Sequence, residues 1–265
     1  LFGEKVAERI EPPSRDKNGD EKNSDTIEEF HMHVDQALRR QHPFIYVLDS
    51  FDGLSSEADR KKAKEQIKQK EKGNEETTGS YGQAKNIKIN EILRLIKGEL
   101  KSTNSLLIIV SQVRDNMEVG SFTKKRRAGG RALKHYSWQE FWLKLGAKRT
   151  ATAKEKKMMI GVDSIADITK NRQTGKQRQA KFPIYYDLGI DDVSACVDFL
   201  EENKHWQKKK QTLVAHEFDT EATKAKIVEY IENNNLESKL QKVVGTCWSE
   251  IEDSLKLKNR KKRFS

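Results

Sequence analysis

Long apolar runs are missing from this 265-residue chain. No stretch approaches the roughly 18 residues needed to cross a bilayer, so no membrane partner is expected. Leu1-Phe2-Gly3-Glu4-Lys5 lacks the basic start and apolar centre of a secretory signal. The chain also lacks an initiator Met, which fits a fragment or a processed product. Cysteine is scarce. Cys196 and Cys247 are too few for a disulfide framework, and a reducing cytoplasmic setting fits best. The histidines (His31, His33, His42, His135, His205, His216) make no zinc-type spacing with them. His31 and His33 would face different sides of a helix and are read as structural or exposed. A phosphate cradle of the form G-x-x-x-x-G-K-[ST] occurs nowhere. Gly175-Lys176 is followed by Gln177 and lacks the upstream Gly.

Charge is abundant. Hydrophobic and charged residues each make up 35% of the chain, so much of the surface must be ionic. The length allows one large core and a smaller one. The formal charge of +10 is unevenly placed. Arg114 to Arg149 holds ten Lys/Arg against three Asp/Glu, and Lys256 to Ser265 holds six Lys/Arg and no acid. A localised basic excess points to a polyanion, DNA or RNA ahead of an acidic membrane. The competing reading is a solvated surface and a solubilising tail.

Along the chain, Leu1–Asn23 is polar and carries turn signals at Pro12-Pro13 and Asp16–Asp20. Ser24-Asp25-Thr26-Ile27-Glu28-Glu29 has the form of a helix start, and that helix should run to about Arg40. Pro43–Ser50 and Ser105–Gln112 are apolar runs that read as buried strands of a parallel sheet. Between them, Ser55–Ser80 is polar and reads as a charged projection, helical to about Lys72. Ala84–Leu100 is a better helix. Helix, short turn and strand form the α/β pattern. Alternation at Phe141–Leu145, Ile165–Ile168 and Phe182–Tyr186 marks further strands, with turns at Asn171–Lys176 and Leu188-Gly189. From Asp191 the pattern becomes mainly helical. A boundary near Gly189–Asp192 therefore divides residues 1–190 from residues 191–265.

Four constellations could carry chemistry. Open α/β sheets keep their ligand sites at the C-terminal ends of strands. Asp49, followed by Ser50, ends the first run and could anchor a magnesium ion; the competing role is a turn cap. Gln112 ends the second run, where a neutral amide can sense a γ-phosphate or orient a water. Gly120–Arg131 combines glycines with Lys124, Lys125, Arg126, Arg127 and Arg131, and Gly129-Gly130 permits close backbone approach. Such a loop suits a phosphate backbone, and a solvated loop is the alternative. Lys170 and Arg172, two apart in a strand, would share a face and could reach a phosphate across a subunit interface. An ordinary basic strand end is the alternative there.

Taken in order, these residues resemble the RecA-like recombinases, and most closely the RecA-type proteins of bacteriophages. Phe44–Ser50 resembles the family's second nucleotide-binding motif, an aliphatic strand ending in Asp-Ser. Leu106–Arg114 is similar to its LLIFINQIR strand, with Ser111 where bacterial members have Asn. Gly129–Tyr136 resembles GGNALKFYA, Ile168–Arg172 resembles VVKNK, and Phe182–Asp191 resembles EFQILYGEGI. Asn203–Trp206 resembles the GAWY of the family's small C-terminal domain. The likeness spans about Pro43 to Trp206 in matching order and spacing.

The resemblance implies an α/β fold: a RecA-like ATPase core with a mostly parallel central sheet over residues 1–190, then a small α-rich C-terminal domain with a basic tail over residues 191–265. It implies a DNA-dependent ATPase and recombinase that forms helical filaments of itself on single-stranded DNA, pairs it with double-stranded DNA, and serves recombination and repair. ATP and Mg2+ would be the cofactors, in the cytoplasm of a bacterial or phage-infected cell. Asp49 would hold the magnesium, with Ser50 beside it. Gln112 would couple ATP to DNA. Lys170 and Arg172 would touch ATP on a neighbouring subunit. Arg114, Lys124, Lys125, Arg126, Arg127, Gly129, Gly130 and Arg131 would bind DNA. Two departures stand out. Ser55–Ser80 replaces the first DNA loop, and the phosphate cradle and water-activating glutamate would lie before Leu1. The 265 residues alone should show little or no ATPase. A non-catalytic relative that binds DNA or modulates filaments is the alternative.

Overall fold

The computed structural model describes residues 8–11, 17–19, 23–72, 83–115, 125–127 and 130–257. Tertiary contacts group the chain into two units, Phe2–Trp138 and Gln139–Ser265.

In the first unit, helix α1 spans Ile27–Arg39. Its start is fixed by a reciprocal cap. The Thr26 hydroxyl accepts the Glu29 N–H at 3.2 Å, and the Glu29 carboxylate accepts the Thr26 N–H at 3.1 Å and the Asp25 N–H at 2.9 Å. The apolar stripe Ile27, Phe30, Val34 and Leu38 then recurs at helical spacing and is buried. Strand β1 (Ile45–Leu48) follows, then helices α2 (Glu57–Glu71) and α3 (Gln83–Ser102), then strand β2 (Leu106–Ile109). This long helical crossover lets β1 and β2 pair in parallel, with Ile45 opposite Leu106 and Leu48 opposite Ile109. Helix α2 buries no residue, as its charged sequence implies. Helix α3 supplies Ile89, Ile92, Leu93 and Ile96 to a core shared with α1, Leu48, Phe51, Leu54 and Leu133. Strands β3 (Val113–Asp115) and β4 (Lys125–Arg127) form an antiparallel pair, and helix α4 (Gly130–Tyr136) closes the unit.

The apolar runs predict a ribbon buried on both faces, but β1–β2 is covered on one face only. Tyr46, Leu107 and Ile109 pack on the core, whereas Ile45, Val47, Leu106 and Ile108 are exposed by 41% to 68%.

The second unit departs from the expected parallel sheet. Strands β5 (Gln139–Ala153), β6 (Lys156–Asn171), β7 (Gln179–Tyr185) and β8 (Gly189–Ile190) form one antiparallel sheet in that order. The connection decides the direction. Only Lys154 and Glu155 join β5 to β6, with φ of 47° and 64°. Two left-handed residues make a tight hairpin turn, and a parallel pair would need a crossover of a dozen residues or more. Among described residues, β1–β2 is the parallel ladder, so the architecture is α/β with largely antiparallel sheets.

Asp163 of β6 is buried, with its side chain 4% exposed. It accepts the Arg149 Nε–H at 2.7 Å and has Lys181 Nζ at 3.6 Å. The Asp163 carboxylate raises the Arg149 guanidinium above its ordinary pKa. Helix α5 (Asp192–Glu202) starts where the Asp191 carboxylate accepts the Ser194 N–H at 2.8 Å. Strands β9 (Gln207–Lys209), β10 (Thr212–Ala215) and β11 (Thr220–Ala222) form a small antiparallel sheet with β10 central. Helices α6 (Lys224–Asn233) and α7 (Glu237–Ser254) pack with α5 around Trp206, Leu213, Phe218, Ile227, Ile231 and Leu240. Cys196 and Cys247 are free thiols. Among described residues, no helix is long and apolar enough to cross a membrane.

Candidate functional site

The parallel pairing of β1 and β2 carries Asp49-Ser50 and Ser111-Gln112 to the same end of one ribbon. The two strand tips are then tied together. The Phe51 N–H donates to the Val110 carbonyl at 2.9 Å, extending the ladder past both strands. Beyond it, Phe51–Gly53 forms a single 3-10 turn. Its Asp52 carboxylate accepts the Gln112 N–H at 2.6 Å and the Ser111 hydroxyl at 3.3 Å. Sequence reasoning did not single out Asp52, which fixes the backbone of Gln112. Lys85 of α3 holds the turn from below. Its ammonium donates to the Phe51 and Leu54 carbonyls, each at 2.6 Å, and lies 4.1 Å from the Phe51 ring centroid.

Asp49 and Gln112 are exposed at this tip, and Ser50 is half-buried. An exposed carboxylate at a strand end fits magnesium, which keeps most of its water and takes one or two protein carboxylates. Asp49 is the donor with that character, because Asp52 is spent on the Gln112 backbone. Gln112, held through its N–H, keeps its side chain at the edge of the site. The described residues therefore offer a cation ligand and a polar amide at one strand edge, and no cradle of backbone N–H groups.

Lys170 and Arg172 lie in the other unit. Lys170 is the penultimate residue of β6, opposite Glu140 of β5. Arg172 is past the strand end, so the two cations are not both strand residues as their spacing predicts. The Asn171 side chain makes the difference. Its oxygen accepts the N–H groups of Gln173 and Thr174, and its nitrogen donates to the Thr174 hydroxyl and the Lys176 carbonyl. The strand bends into a turn there, closed by Gly175 at φ 71°.

Of the loop residues, Lys124 and Gly129 lie outside the described residues. Arg114 sits in β3 directly opposite Arg126, and Val113 opposite Arg127, in the β3–β4 ladder. Lys125 pairs with Asp115, Gly130 begins α4, and Arg131 in its first turn is exposed. The ladder thus sets one cationic position, Arg114, opposite another, Arg126.

Comparison with known proteins gives a partial match. The RecA N-terminal domain family model matches residues 67–191, which takes in Gln112, the basic loop, Lys170 and Arg172 but not Asp49. The chain is similar to "Protein RecA" of Ectopseudomonas oleovorans, 30% identical over 120 residues, covering 45% of this chain and 33% of that protein. It is 32% identical over 124 residues to "Protein RecA" of Pseudomonas fluorescens strain Pf-5, covering 44% of this chain and 34% of that protein. For strain Pf0-1 of the same species the identity is 28% over 160 residues, covering 58% of this chain and 43% of that protein. The match thus spans between a third and a little over two fifths of each relative's length. These likenesses support a RecA-like family.

Proposed function

We propose that this chain is part of a RecA-like, DNA-dependent ATPase and recombinase of bacteriophage type, which assembles as a helical filament on single-stranded DNA. The observation that carries the reading is the strand-tip arrangement: Asp49-Ser50 and Gln112 meet at one end of a parallel pair, inside a chain that is RecA-like over residues 67–191. In this reading β1 and β2 belong to a mostly parallel ATPase sheet. Their open apolar face, Ile45, Val47, Leu106 and Ile108, is the face such a sheet would cover. The functional division is taken at residue 190, with residues 191–265 as the small C-terminal domain.

Asp49 would ligate Mg2+, with Ser50 beside it. Gln112 would sense the γ-phosphate of ATP, and its position would report to the adjoining basic loop. Arg114, Lys124, Lys125, Arg126, Arg127 and Arg131 would neutralise DNA phosphates, while Gly129 and Gly130 let the backbone approach. Lys170 and Arg172 would act in trans, on ATP held by the neighbouring subunit. Single-stranded DNA, double-stranded DNA and further copies of the protein are the partners, in a cytoplasmic setting. The test is ATP hydrolysis by the full-length protein at low salt, with and without single-stranded DNA. Stimulation is expected, and a rate indifferent to DNA would sink the reading.

The second reading is a RecA-core relative that binds DNA or modulates a filament without hydrolysing ATP. The coding sequence upstream of Leu1 separates the two: a phosphate-cradle motif there decides for the enzyme, and a start codon at Leu1 for the accessory. The 265-residue polypeptide by itself should hydrolyse little or no ATP.

A further inference from the structure

The Gln139–Ser265 unit holds a cluster of metal-ligating side chains that neither ATP nor DNA would use. His205 follows α5, at the bend that leads through Trp206 into β9. His216 and Glu217 lie in the 3-10 turn His216–Phe218 after β10. The β9–β10 hairpin returns the chain and sets the second pair against the first. His205 Nε2 lies 2.6 Å from Glu217 Oε1, and His216 Nε2 lies 3.2 Å from the same oxygen. One donor atom from each residue lies within 4.8 Å of the others. The two imidazole centroids are 5.3 Å apart.

From this arrangement we infer that His205, His216 and Glu217 form a binding site for a divalent transition metal of the zinc class. Two imidazole nitrogens and one carboxylate oxygen are the donors that Zn2+ and Co2+ select, whereas Mg2+ and Ca2+ prefer all-oxygen shells. The spacing is close to what is needed. Tetrahedral bonds of about 2.0–2.1 Å put donor atoms roughly 3.3–3.5 Å apart. The His216–Glu217 pair at 3.2 Å needs only a slight shift, which the exposed His216 ring can provide, while the His205–Glu217 hydrogen bond at 2.6 Å must open by about 0.7–0.9 Å to admit the ion.

The surroundings are built as metal sites build theirs, with outer partners that aim the ligands. The buried Trp206 donates its indole N–H to Glu217 Oε2 at 2.7 Å, which turns Oε1 toward both imidazoles. Glu250 of α7 has a carboxylate oxygen 4.0 Å from His205 Nδ1, beyond hydrogen-bond reach, and adds negative charge near that ring. Lys239 donates to the Glu217 carbonyl and lies 4.7 Å from the Phe218 ring centroid, pinning the turn that carries two of the three ligands. Three protein ligands leave a fourth position for water or an added group. Bound metal would clamp the end of α5 to the turn after β10.

The test is Co2+ and Zn2+ titration of the full 265-residue chain, by visible absorption for cobalt and calorimetry for zinc. One equivalent per chain is expected, with tetrahedral-type cobalt bands and a higher thermal midpoint. His216→Gln changes an exposed side chain. It should leave the midpoint in chelator unchanged and weaken binding by more than about 100-fold. His31→Gln with His33→Gln should bind as wild type. Absence of saturable 1:1 binding, or wild-type affinity in His216→Gln, overturns the site.

Discussion

Asp52→Ala isolates the contact that organises the strand-tip site. The Asp52 carboxylate accepts the Gln112 N–H at 2.6 Å, a short, charge-assisted bond, and the Ser111 hydroxyl at 3.3 Å. A hydrogen bond to a charged group is worth about 1.5–3 kcal/mol. The acceptor is half-buried and Gln112 is exposed, which places this one at the low end, about 1.5 kcal/mol. That is roughly a tenfold change in a local opening equilibrium. Asp52→Asn keeps an acceptor but not the charge. Charge assistance roughly doubles such a bond, so the loss should be about half as large, near threefold. The assay is native-state hydrogen exchange at the Gln112 amide. In Asp52→Ala its protection should fall about tenfold, while the amides of α1 and α3 keep theirs, because the tip opens without the core. Gln112 exchange within a factor of two of wild type would mean that Asp52 does not hold this amide. An even loss of protection across the unit would mean that the tip does not open without the core.

Further outcomes are expected elsewhere. Arg149→Met strips the nearer partner from a carboxylate that is 4% exposed; with Arg149 itself 35% exposed and Lys181 still 3.6 Å away, urea unfolding should show a loss of about 2 kcal/mol. Adding Asp163→Asn should cost less than the two single losses combined, and strict additivity would count against the pair. The Asp25 N–H, helped by the Thr26 N–H against the opposing effect of burial, holds the Glu29 carboxyl below its ordinary pKa of 4.5. A depressed folded-state value gives stability that is present above the ordinary range and lost as pH falls. The advantage of wild type over Glu29→Gln, about 0.5–1 kcal/mol at neutral pH, should therefore shrink below pH 4.5. Replacing Lys124, Lys125, Arg126 and Arg127 with Ala should flatten the salt dependence of single-stranded DNA binding by up to about 0.7 logarithmic units per cation lost. Fluorescence anisotropy across a salt series reads this, and an unchanged slope would move the DNA site elsewhere.

The parts that were legible in the sequence are those where local chemistry and tertiary structure agree. The helix start at Ser24–Glu29 and the charged α2 needed nothing remote to specify them. Phe141–Leu145, Ile165–Ile168 and Phe182–Tyr186 were legible as strands, because apolar alternation reports the pleat, whereas the far arms of the β5–β6 hairpin and strand β4, inside the basic loop, were not. Alternation carries no direction, however. Ile165–Ile168 and Phe182–Tyr186 read the same whether their neighbours run parallel or antiparallel. Direction is set by the links, and the deciding one, Lys154-Glu155, contains no Gly, Asn or Asp to announce a left-handed turn.

The same reasoning separates the site residues that sequence found from those it missed. Asp49 and Gln112 stood out because each ends its own apolar run. Asp52 sits inside the 3-10 turn and acquires its role only when β2 arrives beside β1, 60 positions later. His205 and His216 fit no compact ligand motif, because a whole hairpin lies between them. What unites them is the return of β10 along β9, which sets Glu217 against His205 and Trp206. Chemistry assembled by strand pairing is silent in one dimension, whereas chemistry placed at the end of a single element is not. The second unit, built from hairpins, is therefore the place where function absent from any linear motif should be sought, and the His205–His216–Glu217 cluster is found there.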